Sequence, residues 1–175
     1  MVRALYATVA ILVVLAGCGA VPGDGTPDAP QHTVSIDISN EYNESHVVRV
    51  TTIPAAVEGL TVTYESGSTQ RFDVSSFDAL PREGLRNATA IATTDSAELT
   101  REFQVGPANG ISATLEDAPP NATVVYFVLQ DGAPQTVRGV GVAQCSAGTQ
   151  STDIEIVIRP DGALHSTVTC SDDPV

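Results

Sequence analysis

The 175-residue chain has no lysine, no tryptophan, one methionine (Met1) and only eight aromatic residues, four Phe and four Tyr. Each shortage excludes something. With arginine as the only strong base, eight basic residues face 21 acidic ones, for a formal charge of −13. A surface this negative repels a phosphate backbone, so no nucleic-acid partner is expected. It opposes adsorption to an anionic membrane as well, so membrane contact needs a hydrophobic or covalent anchor. A blue-copper site needs two histidines, a cysteine and usually a methionine; Met1 is the sole methionine, and no histidine closely follows Cys145 or Cys170. His32, His46 and His165 have no metal-ligand spacing, and each is expected to face solvent at a strand end. There is no G-x-S-x-G elbow, and carboxylate pairs carry little meaning in so acidic a chain. No catalytic residue, metal or cofactor is expected, and the protein is not expected to be an enzyme.

What is present begins with an apolar run. Arg3 precedes an apolar segment from Ala4 to Ala16, too short for the roughly 20 residues of a helical span. Its length and flanks match the hydrophobic core of a secretory signal. It ends on Leu15, Ala16, Gly17 and Cys18: small residues that let a peptidase reach the backbone, then a thiol. This "LAGC" resembles the lipobox of exported lipoproteins. The resemblance implies cleavage before Cys18, lipid attachment to its sulfur, and anchoring on the extracytoplasmic face of the cell membrane. Two acyl chains, at about 0.8 kcal/mol per buried methylene, hold stably where one is marginal. "GAVPGDGTPDAPQ" follows, rich in Gly, Pro and Asp, and reads as a flexible tether. Residues 1–17 are therefore read as signal, 18–31 as lipidated cysteine and tether, and 32–175 as one domain. Acid excess, missing lysine and the lipobox together resemble surface lipoproteins of salt-loving archaea. At about 1 M salt the Debye length is about 3 Å, which screens such self-repulsion.

Hydrophobic residues make up 42% of the chain, mostly valine and isoleucine rather than aromatics. Branched side chains suit pleated strands. "TVSIDIS" puts Val34, Ile36 and Ile38 on one face; "LTVTYE" does so with Leu60, Val62 and Tyr64, and "QRFDV" with Phe72 and Val74. "VVRVTTI", "LTREFQV" and "TVRGVGVAQC" add strands, and "TVVYFVLQ", apolar on both faces, reads as central and doubly covered. "DIEIVIRPDGALHSTVTC" reads as a hairpin turning at "PDG", with Ile154, Ile156 and Ile158 on one face. "SSFDALPREGLRNAT" holds at most a short helical turn, broken by Pro81 and Gly84. About nine strands without a long helix predict an all-β, antiparallel, immunoglobulin-like β-sandwich; an up-and-down β-barrel is the alternative.

If Cys18 is lipidated, Cys145 and Cys170 remain as an even pair in an oxidising compartment. They are expected to form a disulfide between neighbouring strands, with Cys170 inward in phase with Leu164 and Val168. Three Asn-x-Ser/Thr sequons, at Asn43, Asn87 and Asn121, precede strands where a glycan would fit an exported protein. Asparagine also favours such turns for its own sake. "NEYNES" and "RPDGAL" offer oxygens for weak calcium binding, without EF-hand spacing. The expected function is a lipid-anchored extracytoplasmic binding module facing an envelope partner. The competing expectation is an assembly accessory of a membrane complex.

Overall fold

The structure, a computed structural model, describes residues 32–94 and 98–172. Cys18 and the signal and tether readings lie outside the described residues. Among the described residues, eleven strands form three sheets. The first is ordered β11-β10-β1-β7, from Leu164–Ser171, Ser151–Ile158, His32–Asn40 and Asn109–Ala118. The second is ordered β6-β2-β8-β9, from Leu99–Val105, His46–Ile53, Thr123–Gln130 and Thr136–Gln144. The third is a small β4-β3-β5 sheet, from Thr69–Phe72, Leu60–Tyr64 and Ala88–Thr93. Two 3-10 turns, Phe77–Ala79 and Arg82–Leu85, stand where the sequence predicts one.

The period-two pattern explains the first core. Val34, Ile36 and Ile38 of β1 and Ile154, Ile156 and Ile158 of β10 all turn inward. They meet Val48 and Val50 of β2 and Val124, Tyr126 and Val128 of β8. The other face of β8 carries Val125, Phe127 and Leu129 into a second core, against Leu60 and Val62 of β3 and Ile91 of β5. Both faces of β8 are thus buried, as its unbroken apolar run requires. β2 is buried on both faces too, although Arg49 interrupts its run. Among the described residues the sheets stay open and stacked, as a sandwich and not a closed barrel.

Three features depart from expectation. β5 and β7 raise the strand count from about nine to eleven; their alanines and glycine weaken the apolar signal. The β4-β3-β5 sheet adds a third layer over the second sheet. β1 pairs with β10 in parallel, Thr33 opposite Ser151 through Asn40 opposite Ile158, so the sandwich is not wholly antiparallel. The hairpin is as expected: β10 and β11 pair antiparallel, and Gly162 at φ 79° closes the turn by donating to the Arg159 carbonyl at 2.8 Å.

Candidate interaction surface

The sandwich has two unlike ends. At the end where β1 begins, a disulfide joins Cys145 to Cys170, with Cα atoms 5.8 Å apart. The paired cysteines are those expected, but the placement differs. They lie on β11 and just past β9, the facing edges of two different sheets, not on adjacent strands. Cys170 does share its face of β11 with Leu164 and Val168, yet it is exposed, because that edge is uncovered. His32 is buried beside the bridge, its Nδ1–H donating to the Thr149 carbonyl at 3.0 Å while Nε2 accepts from Thr152 Oγ1 at 3.0 Å.

The opposite end gathers the β1–β2, β6–β7, β8–β9 and β10–β11 loops, since β1 ends beside the starts of β7, β2 and β11. These loops are tied to one another. Asn40 is 1% exposed, and its Nδ2 donates to the carbonyls of Glu44 (2.8 Å), Gly106 (3.0 Å) and Val105 (3.2 Å). Its Oδ1 accepts from the Tyr42 amide at 3.1 Å. Gln130 Nε2 donates to the Glu44 carboxylate at 2.6 Å, and Arg138 donates to Gln130 Oε1. The Asp131 amide donates to the Ser45 carbonyl, Gln104 to the Asp131 carboxylate, and the Glu41 amide to the Ile158 carbonyl. Cross-tied loops lose little conformational freedom when they meet a partner, which favours affinity.

His46 sits beneath this surface, 1% exposed rather than facing solvent, its ring tilted 5.9 Å from that of Tyr42. Its Nδ1–H donates to the Glu44 carbonyl at 3.1 Å. Burial lowers its pKa below the ordinary 6.5, and Arg138 acts in the same direction against the opposing pull of the Glu44 carbonyl and carboxylate. The sign follows by linkage: near pH 6.5 the unfolded imidazole takes up a proton that the folded one refuses. Stability from this group is full above 6.5 and is lost as pH falls toward the lower folded value. The urea midpoint is expected to drop between pH 7 and 5, and to drop less in His46→Gln. An equal drop in both proteins would remove His46 as the cause.

The sequons divide. Asn43 is exposed at the tip of the tied β1–β2 loop, while Asn121 lies at the disulfide end, where its Oδ1 accepts from the Gly148 amide at 3.3 Å. Asn87 and Asn121 take left-handed conformations at φ 57° and 58°, which alone accounts for asparagine there. Two of the carboxylates considered for calcium are each engaged through one oxygen: Asp161 accepts from the Ala163 amide and Glu44 from Gln130. Among the described residues no three His, Cys, Asp or Glu side chains are placed to hold a metal. On the outer face of the first sheet, cavities of about 310 and 250 Å³ share Asp37 and Glu155, with Asp153 lining the larger.

The chain matches the family described as halobacterial Ig domain protein over residues 1–175. It belongs to that family. Membership accords with the immunoglobulin-like sandwich and with the acidic, lysine-free composition. No curated protein matches the family member in sequence. Among solved structures it is similar to one titled "Trapped Toxin", at 6% identity and TM-score 0.36 over 79% of this chain. It spans only 23% of that protein's length. It is also similar to the T6SS lipoprotein TssJ1 from Pseudomonas aeruginosa, at 11% identity and TM-score 0.37, over 82% of this chain and 98% of that one. Among the described residues no helix is long and apolar enough to cross a membrane.

Proposed function

We propose that this protein is a lipid-anchored, extracytoplasmic binding module, without catalytic activity, that offers its cross-tied loops to a partner in the cell envelope. The observation that carries the reading is the polarity of the sandwich. The first described residue, His32, opens β1 at the disulfide end, so an anchor at Cys18 would tether that end. The loops held by Asn40 would then point away from the membrane, with Asn43 among them. A rigid, polar loop surface suits recognition of another macromolecule.

The test has two arms. Cys18→Ser is expected to shift the native protein from the membrane fraction to the medium. Photo-crosslinkers at positions 43 and 161 are expected to trap one shared partner, while one at position 121 traps none. Membrane retention of the serine variant would sink the anchor, and equal crosslinking from both ends would sink the presentation.

A further inference from the structure

A third cavity, of about 250 Å³, lies between the sheets at the open β9–β11 edge, away from the disulfide. Its wall includes Tyr126, which is 5% exposed and whose hydroxyl has no hydrogen-bond partner among the described residues. A hydroxyl on so buried a side chain is destabilising without a partner, so this is a cleft that calls for an acceptor.

Two glycines make room for two side chains of the cleft wall, Tyr126 and Leu164. Tyr126 stands opposite Gly141, and a Cβ on Gly141 would lie 1.9 Å from the Tyr126 Cζ. A Cβ on Gly139 would lie 2.2 Å from Leu164 Cδ1. An aromatic ring over a strand glycine is a common way to cover it. Phenylalanine would do that equally well, with no orphaned oxygen. The ring is explained by packing; the hydroxyl is not.

The electrostatics of the cleft run against those of the molecule. Carboxylates line both cavities on the outer face, but none lines this one. Arg138, His165 and Ser166 stand around it, with Ile156 and Leu164 as apolar wall. Among the described residues Arg138 uses only Nη2, toward Gln130 Oε1 and, at 4.0 Å, Glu44, so the three N–H donors on Nε and Nη1 are unengaged. We infer that the β9–β11 cleft is a binding site for a carboxylate on a short apolar body, either a small free acid or the C-terminal residue of a peptide. Tyr126 and Ser166 donate to the carboxylate, Arg138 neutralises it, and Ile156 and Leu164 cover the apolar part. The volume falls just below the roughly 300–1,000 Å³ of ordinary ligand pockets, which limits the occupant to a small molecule or a chain end.

The test uses the full chain in nanodiscs of zwitterionic lipid, titrated with hexanoate, with 1-hexanol, and with a tripeptide ending in leucine as free acid or amide. Saturable shifts of the Gly139 and Gly141 amides are expected with hexanoate, and weaker ones with hexanol. Tyr126→Phe and Arg138→Gln should each weaken hexanoate about tenfold, since hydrogen bonds to charge are worth that much. Ser166→Ala, at an exposed position, gives the same reading if either variant fails to fold. Tighter binding of the free-acid peptide than of hexanoate identifies a chain end as the occupant; the reverse identifies a small acid. No saturation with any carboxylate, equal affinity for hexanol, or affinity unchanged by the substitutions would overturn the site and leave a hydrated void.

Discussion

Phe127→Ala is expected to lower stability by about 3–5 kcal/mol, the usual cost of truncating a fully buried phenylalanine. At about 2–4 °C per kcal/mol, the melting temperature falls by roughly 6–20 °C. Phe127 is 0% exposed and points from the middle of β8 into the second core. Its ring is shared by the second and third sheets, so the hole it leaves cannot close without moving one against the other. Amide exchange should therefore rise first in β3 and β5, ahead of β1 and β10. A melting shift below about 3 °C would mean that the third sheet does not pack on the second.

Removing the disulfide is the second large effect. The cysteines are 25 residues apart, and opening a loop of that length is worth roughly 3–4 kcal/mol in the chain-entropy account. Cys145→Ala combined with Cys170→Ala should lower the urea midpoint correspondingly. Because Cys170 is exposed, a mild reductant should free both thiols in the folded protein before it unfolds. A midpoint unchanged in the double variant would show that the facing edges are held by their other contacts alone.

Much of this architecture is readable from residue order, because a half-buried strand writes its two faces in alternation. Val34, Ile36 and Ile38, the doubly apolar β8, and the β10–β11 turn all stand as read. Alternation reveals a strand's faces but not its neighbours, which are set by closure of the whole chain. The parallel β1–β10 pair, the third layer and the position of the disulfide across two sheets follow from that closure. The buried polar residues at the two ends of the sandwich are legible in the sequence as well. His32 and Asn40 are in phase with Val34, Ile36 and Ile38, and His46 with Val48 and Val50, so all three occupy inward positions. A polar residue in a core phase announces a buried hydrogen bond. Tyr126 and its two glycines carry no such local signal, since only the folded β8–β9 register brings them together.

The parallel partnership of β1 has a bearing on how the molecule reaches its destination. Thr33 must wait for Ser151, nearly the whole domain later in synthesis, before the centre of the first sheet can zip. Joining such distant segments is slow, because a long loop must close before any contact rewards it. A polypeptide threading outward through a translocon would thus stay pliable until almost all of it had crossed. If the chain is exported as proposed, completion of the fold would be deferred to the far side, where thiols can oxidise and the last two strands arrive together.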